Sequence, residues 1–314
     1  MKRMKHVLPL LLCALLFLAA CSKGGEPSAT AATAVPSTLD TAAPTSAPSA
    51  DPAPEATPEA SAEAAAAPTA EPTAEPTAEP EPENTPDPTP DPYGSFARID
   101  TNSPALLRGT ADMGQEYIDS ITFLGDSTTY GMKYYAVLKD GKKTTQVWTP
   151  TNGTLTLSYQ GFVDIWYPED DEEISIRSAV ERKQPERMII TLGVNGVAFM
   201  ERDYFISEYT DLVTDIQELS PNTTIILQSI FPIAANWDKQ QSINNEKICE
   251  ANTWILSIAE ATGTKFLNTY PVLVGDDGYM NSAYQNGDGM HLNEDGFRVV
   301  LDYIRTHGYT KTED

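Results

Sequence analysis

Histidines are scarce among the residues that could do chemistry in this chain. The 314 residues include three of them. His6 lies in the basic start of the chain, and His307 lies in the last turn of a predicted helix, where it would face the helix dipole. His291 instead lies in a glycine-rich loop, three residues after Asp288. Since a carboxylate fixes the tautomer of an imidazole and stabilises the imidazolium, this pair suits a general base, with an ordinary surface loop as the alternative.

A serine follows the first strongly apolar run and suits a nucleophile. The run Ile118–Leu124 ends at Gly125, and Asp126 and Ser127 come next. A serine at a strand-to-helix turn is exposed at the end of the sheet, where the N–H groups of a helix N-terminus favour developing negative charge. Aspartate and serine are also common helix caps, so the tripeptide by itself leaves both roles open.

An asparagine follows a second apolar run. Arg187–Leu192 is succeeded by Gly193-Val194-Asn195-Gly196. An amide at the end of that strand could donate an N–H to an oxyanion. A turn residue with a positive φ before Gly196 is the alternative.

In this order, the three motifs resemble those of the SGNH (GDSL-type) hydrolase superfamily, over about residues 115–308. The resemblance implies that Ser127 is the nucleophile, that His291 is the general base and then the general acid, and that Asp288 orients His291. Asp126 is expected to hydrogen-bond the turn and not to react. Hydrolysis through an acyl-enzyme needs no cofactor, and we expect neither a cofactor nor a metal.

The resemblance also implies an oxyanion hole with three donors. Two of them are the backbone N–H of Ser127 and the side chain of Asn195. The third is a glycine N–H between the first and second motifs, for which Gly153 is preferred because it follows a predicted strand, with Gly161 as the alternative. Members of the superfamily often carry aspartate at the position of Gly196, and this departure weakens inference of the substrate from the family.

The elements that must position these residues alternate between strands and helices. Short apolar runs bounded by turn residues suit parallel strands buried on both faces, and three- to four-residue steps suit amphipathic helices. The predicted strands are Ile118–Leu124, 145–148, Arg187–Leu192, Thr223–Ile230 and Lys265–Leu267, and the predicted helices are 203–219, 241–262 and a last one from an N-cap at Asn293 to Gly308. This pattern predicts an α/β fold, a three-layer α/β/α sandwich with a mostly parallel, flavodoxin-like sheet. Sites in such sheets collect at the carboxyl ends of the strands.

Residues 1–21 predict export. A basic start and an apolar run over residues 7–20 are typical of a signal peptide, because the run is short for a membrane span. The segment Leu18–Cys21 (Leu-Ala-Ala-Cys) resembles a bacterial lipobox, an ordinary signal peptide being the alternative. The resemblance implies lipidation at Cys21, so that the mature protein is anchored in the extracytoplasmic face of a bacterial cell membrane.

Residues 22–93 predict a disordered linker, and residues 94–314 predict one hydrolase domain. The linker holds 16 of the 24 prolines and three consecutive copies of Thr-Ala-Glu-Pro. It has too little apolar surface to fold, and its prolines keep it extended. We expect it to act as a spacer that lets the domain reach into the cell wall, with a linker of no tuned length as the alternative.

The charge excludes some partners. The whole chain carries −24 and residues 94–314 carry −15. A surface this acidic argues against nucleic acid and anionic lipid, and is compatible with neutral polysaccharide. Acidic loops such as Asp276-Asp277-Gly278 lack the spacing of a calcium site, and paired histidines for zinc are missing from the sequence. Cys249, the one cysteine beyond the signal region, is expected to be a buried apolar residue.

These features together predict a serine esterase that hydrolyses acetyl esters, with acetylated carbohydrate or cell-wall glycan as the expected substrate. Four aromatic residues could stack on sugar rings or belong to the core: Trp148, Trp166, Tyr167 and Trp237. The alternatives are an O-acyltransferase acting on wall sugars and a non-catalytic glycan-binding lipoprotein.

Overall fold

A five-stranded parallel sheet forms the centre of the domain. The computed structural model describes Gly94 and residues 96–311. The strands are Ile121–Gly125 (β1), Val147–Trp148 (β2), Asp164–Tyr167 (β3), Glu172–Ser175 (β4), Arg187–Thr191 (β5), Thr224–Gln228 (β6) and Lys265–Leu267 (β7). The helices are Gly114–Asp119 (α1), Ser127–Tyr134 (α2), Ile176–Lys183 (α3), Arg202–Leu219 (α4), Asn245–Thr262 (α5), Tyr270–Leu273 (α6) and Glu294–Thr306 (α7). The sheet has the order β2-β1-β5-β6-β7, and β3 and β4 form a separate antiparallel pair.

Helices cover both faces of this sheet. Along β1, Phe123 and Leu124 point to opposite faces, and along β5 so do Ile189 and Ile190. The first residue of each pair packs with α1, α2, α6 and α7, while the second packs with α3, α4 and α5. Because successive side chains alternate along a strand, mostly apolar runs supply both interfaces. The predicted three-layer α/β/α sandwich is confirmed.

Several sequence-based boundaries were wrong by two to four residues, among them the start of the first strand and the end of the last helix. The run Ile118–Leu124 does not form one strand, because Ile118 lies in the last turn of helix α1 and packs in the same core cluster as Phe123, and β1 begins only at Ile121. Asp119 and Ser120 interrupt the apolar run, and the junction between the helix and the strand lies at these two polar residues. The last helix begins after Asn293, whose side chain accepts from the N–H of Gly296, but it ends at Thr306 rather than at Gly308.

Several sequence predictions concern residues outside the described part of the chain. These are the signal peptide 1–21, lipidation at Cys21 and the linker 22–93. Within Gly94 and 96–311, no helix combines the length and apolar character needed to cross a membrane.

Candidate functional site

The candidate residues meet where the strand order of the sheet reverses. Strand β1 lies between β2 and β5. The helices that follow β1 and β5, α2 and α4, pack on opposite faces of the sheet. A crevice therefore opens between the carboxyl ends of β1 and β5, as in other open α/β sheets. Ser127 follows β1 and Asn195 follows β5, so both lie at this crevice.

The structure brings Ser127, His291 and Asp288 into one hydrogen-bonded chain. Nε2 of His291 lies 2.9 Å from Oγ of Ser127, and Nδ1 of His291 lies 2.7 Å from Oδ2 of Asp288. An ionised carboxylate only accepts hydrogen bonds, so Nδ1 carries the ring proton and Nε2 faces the serine as an acceptor. This geometry can take a proton from the serine hydroxyl and stabilise the imidazolium that results.

Asp288 is held as a carboxylate. Partial burial by itself would raise the pKa of Asp288. Hydrogen bonds from the backbone N–H groups of His291 and Met290, and from the side chains of His291 and Asn286, outweigh that effect. The pKa of Asp288 is therefore lowered to about 2. The backbone bonds measure 2.9 Å from His291 and 2.8 Å from Met290. The carboxylate therefore both fixes the turn of its own loop and orients the imidazole.

The loop that carries Asp288 and His291 rests on the loop between β6 and α5. The carbonyl of Gly289 accepts from the N–H of Ala234 at 2.8 Å. A Cβ at Gly289 would lie 2.7 Å from the backbone nitrogen of Trp237, so only glycine fits there. Two buried asparagines of α5 hold the supporting loop in turn, since Asn252 bonds the N–H and carbonyl of Ile230, and Asn245 bonds those of Ile233.

Asp126 is fully buried and joins three parts of the site. Its Oδ1 accepts from the N–H and the hydroxyl of Thr128, which caps helix α2, and its Oδ2 accepts from Nδ2 of Asn195 at 2.9 Å. Burial raises the pKa of Asp126 from 3.8 to about 6, against the opposing effect of the Thr128 hydrogen bonds, the charge on His291 and the Asn195 hydrogen bond. The expected turn-holding role is thus wider than the sequence suggested, because Asp126 also fixes the amide of Asn195.

The predicted oxyanion donors differ in their availability. The N–H of Ser127 is the first of helix α2 and has no acceptor within the described part of the chain. The amide of Asn195 donates to Asp126 and, over a long 3.4 Å, to the carbonyl of Leu155. Gly153 lies against Ser127, since a Cβ on it would be 3.5 Å from the serine Cβ, whereas nothing lies within 4 Å of a Cβ at Gly161. Proximity therefore favours Gly153 over Gly161.

The N–H of Gly153 is nevertheless engaged. It donates to the carbonyl of Pro150 at 2.8 Å, and Gly153 itself has a φ of +75°. The turn between these residues would have to open before this N–H could reach an oxyanion.

Tyr130 lines two clefts, and Ser127 lies in the larger of them. The larger one, about 410 Å³, contains Ser127 and His291 together with Tyr134 and other residues of the α2 and α7 segments. The smaller one, about 240 Å³, lies on the side of Tyr130 that faces Trp166. No sequence pattern marks Tyr130 or Tyr134 beyond their place one and two turns after Ser127 on the same helix.

The four aromatic residues singled out from the sequence fall into two groups. Trp148 and Tyr167 are buried and belong to the core. Trp166 is half-buried and lines the smaller cleft, while Trp237 is half-buried and packs under the loop of Gly289.

The remaining candidates lie apart from the serine and histidine. Nδ1 of His307 donates to the carbonyl of Tyr303 at 3.0 Å, and its ring stacks on the Tyr303 ring, so this histidine closes the end of α7. Cys249 is buried, and that burial raises its thiol pKa to about 11. Across Gly94 and 96–311, no group of three or more histidine, cysteine or acidic side chains could hold a metal ion.

Several solved structures are similar to this chain at low sequence identity. A proposed acylhydrolase from Bacteroides fragilis is 18% identical, with 72% of this chain and 96% of that chain covered and a TM-score of 0.46. A GDSL-like lipase from Bacteroides thetaiotaomicron is 20% identical, with 62% and 89% covered and a TM-score of 0.43. A carbohydrate esterase family 3 structure from Talaromyces cellulolyticus is 16% identical, with 59% and 93% covered and a TM-score of 0.39.

No curated protein matches the sequence. The model of the GDSL-like lipase/acylhydrolase family, however, matches residues 123–299, a span that runs from β1 through α7 and includes Ser127, Asn195, Asp288 and His291. This match covers more than half of the chain. The chain therefore belongs to the GDSL-like lipase/acylhydrolase family and is an ester-hydrolysing enzyme.

Proposed function

We propose that this protein removes short acyl groups, acetyl above all, from carbohydrate through an acyl-enzyme on Ser127. The observation that carries the proposal is the continuous chain of hydrogen bonds from Ser127 Oγ through His291 to Asp288, at 2.9 and 2.7 Å. His291 takes the serine proton as Oγ attacks the acyl carbon, and then gives that proton to the departing sugar oxygen. Water activated by His291 next releases the acid and restores the serine.

The oxyanion of each tetrahedral intermediate would be held by the N–H of Ser127 and the amide of Asn195. Both groups lie at the crevice between β1 and β5, and the dipole of helix α2 adds to the attraction at its first residue. Gly153 is the third proposed donor, and its turn with Pro150 would open as the substrate binds.

The preference for a short acyl group rests on the room around the serine. The small pocket beside Asp126, bounded by Leu192 and Met290 among others, has a volume of only about 10 Å³. Such a space suits one water molecule at most, not an acyl chain. The open cleft of about 410 Å³ on the solvent side, lined by tyrosines and Asn286, instead suits a polar leaving group such as a sugar.

We also propose that the domain works outside the cell, anchored through lipid on Cys21 and spaced from the membrane by residues 22–93. The lipobox-like Leu18–Cys21 and the proline-rich composition support this. Incubating bacteria that express the protein with an alkyne-tagged fatty acid should label it, and Cys21→Ala should remove the label. An unlabelled wild-type protein would count against the anchor.

The catalytic proposal is tested by labelling the full-length protein with a fluorophosphonate and mapping the adduct by mass spectrometry. We expect one adduct, on Ser127, and turnover of p-nitrophenyl acetate that Ser127→Ala lowers by several orders of magnitude. Unchanged turnover in Ser127→Ala would overturn the assignment. A panel of acetylated oligosaccharides then tests the substrate class, and transfer of acetyl to an added sugar in place of free acetate would indicate an acyltransferase.

A further inference from the structure

The cleft between Tyr130 and Trp166 combines aromatic surface with an unpaired positive charge. Its lining includes Tyr130, Lys133, Thr149, Thr151 and Trp166. Tyr130 and Lys133 lie one turn apart on α2, so they present neighbouring side chains to the same space. Trp166 is fixed on the other side, because its backbone N–H donates to the carbonyl of Thr149 at 2.9 Å. The cleft is therefore a built structure and not a gap between mobile loops.

Lys133 has no carboxylate partner among the residues that the structure describes. Of the other three lysines in residues 127–150, Lys142 lies 5.5 Å from the centre of the Tyr134 ring and is likewise without a carboxylate partner in the described segment. Lys133 is partly buried, and its charge is unpaired within the described residues. An anionic ligand group would pair with that charge in a charge-assisted hydrogen bond.

The local charge is opposite to that of the domain. Residues 94–314 carry −15, whereas residues 127–150 contain four lysines and one aspartate, a net charge of +3. The overall field repels anions, so a positive edge beside the serine gives an anionic substrate group one favoured place to bind. Lys133 lies six residues after Ser127, or about 9 Å along the helix axis. That distance places the anion on a sugar next to the acylated one.

We propose that this cleft binds a carboxylate-bearing sugar of the substrate, with its ring against Trp166 and Tyr130 and its carboxylate at Lys133. The inference rests on the proposed esterase function and narrows its substrate to acidic glycans. A carboxylated sugar fits better than a phosphate group, because the flat aromatic walls favour a ring and the lysine supplies one charge. The acidic sugar can be a uronate or a muramic-type sugar, which share this chemistry.

The test compares matched acidic and neutral substrates. The acidic substrate is an oligogalacturonide, and the neutral one is the same oligosaccharide after reduction of its carboxyl groups; both are then O-acetylated to the same degree. The third substrate is an O-acetylated muramyl glycan. We expect kcat/KM for at least one acidic glycan to exceed that for the neutral one about fivefold, the usual size of a partly exposed ion pair, through a lower KM. The arm with the preference identifies the source of the carboxylate.

Three variants locate the effect. Lys133→Gln should bring the acidic-to-neutral ratio close to one, and Lys133→Arg should keep most of it. Lys139→Gln, an exposed lysine outside the cleft, should leave the ratio and the activity unchanged. Because the ratio is taken within one protein sample, partial misfolding of a variant cannot produce it.

Each failure has its own signature. No preference for either acidic glycan in the wild-type protein, or a preference that survives Lys133→Gln, would overturn the cleft assignment. Loss of the proposed function would appear separately, as wild-type protein that does not turn over p-nitrophenyl acetate.

Discussion

The side-chain amide of Asn195 donates to Oδ2 of Asp126 over 2.9 Å, and this bond ties the segment after β5 to the turn after β1. A carboxylate accepts and never donates when ionised, so it requires the NH₂ end of the amide to face it. The orientation of Asn195 as a donor is therefore set by Asp126, which touches neither the histidine nor the serine hydroxyl through a hydrogen bond. We regard Asp126 as a positioning residue.

Replacing Asp126 by asparagine should lower kcat while leaving KM nearly unchanged. The new amide can offer its own NH₂ group where Oδ2 was, so Asn195 would turn its oxygen toward it and present the wrong end to the oxyanion. Because one oxyanion donor is worth about 3 kcal/mol, the loss in kcat should approach about 10²-fold. Steady-state kinetics with p-nitrophenyl acetate measure both constants.

The double variant separates positioning from a direct role. Asn195→Ala alone should cost about as much as one donor, and adding Asp126→Asn should cost little more. Fully additive losses would show that Asp126 acts through something other than Asn195. Circular dichroism of each variant confirms that the fold is retained.

Asp288→Asn should lower kcat on the order of 10⁴-fold, because an amide can stabilise the wrong tautomer of His291 and cannot stabilise its cation. The matched control is Asn286→Ala, which removes a longer 3.2 Å bond to the same carboxylate and should cost less than tenfold. An Asp288→Asn enzyme within tenfold of the wild type would mean that the loop geometry alone orients the histidine.

Two glycines in the histidine loop both have a positive φ, but they differ in the room available for a side chain. Gly287 and Gly289 have φ angles of +112° and +85°, but a Cβ at Gly287 meets nothing within 4 Å, whereas one at Gly289 lies 2.7 Å from the backbone of Trp237. Gly289→Ala should therefore displace His291 and lower both kcat and the melting temperature, and Gly287→Ala should show only the smaller cost of strain. Thermal unfolding and kinetics of the pair test this, and equal effects would contradict it.

The sequence was enough to predict the sheet, because short and mostly apolar runs such as Arg187–Leu192 are typical of parallel strands buried on both faces. Element order and the three-layer fold followed. The hairpin of β3 and β4 was not predicted, because its two strands are short and carry charged, exposed positions. Its turn uses Asp171 at a φ of +58°, and no sequence pattern marks this turn. Trp166 belongs to that hairpin, so the cleft could not be foreseen.

Within the site, the sequence predicted which residue types meet and not how their donors are shared. The spacing of Asp288 and His291 implied their contact, because three residues of loop leave little freedom. Nothing in the sequence revealed that the Gly153 N–H is bound to Pro150. Long-range bonds such as that of Asn195 to Asp126, 69 residues apart, depend on the sheet register and follow only from the fold.

Gly153→Ala should lower kcat more than Gly161→Ala. An alanine at a φ of +75° costs about 1–2 kcal/mol, so the turn from Pro150 would rearrange beside Ser127. Gly161 has open space around its Cα and no positive φ, so its variant should stay within twofold of the wild type. A larger loss of kcat in Gly161→Ala than in Gly153→Ala would indicate that Gly161, and not Gly153, is the third oxyanion donor.

The buried carboxyl of Asp126 predicts an unusual dependence of stability on pH. Its folded pKa of about 6 lies above the ordinary value of 3.8, so between these pH values the folded protein holds a proton that the unfolded chain has lost. Since stability falls with rising pH wherever the folded state binds more protons, this contribution is full below about pH 4 and is lost as the pH rises through 6.

Asp126→Asn removes that titration, so the free energy of unfolding of the wild type relative to this variant should fall as the pH rises from 4 to 6. Urea unfolding at several pH values measures the difference, and the variant serves as the reference because every other titrating group is shared. Asp288 has the opposite effect at lower pH. Its pKa is lowered to about 2, so its contribution to stability is lost only as the pH falls from about 4 to 2. A difference that is flat or rises between pH 4 and 6 would show that Asp126 stays ionised in its buried position.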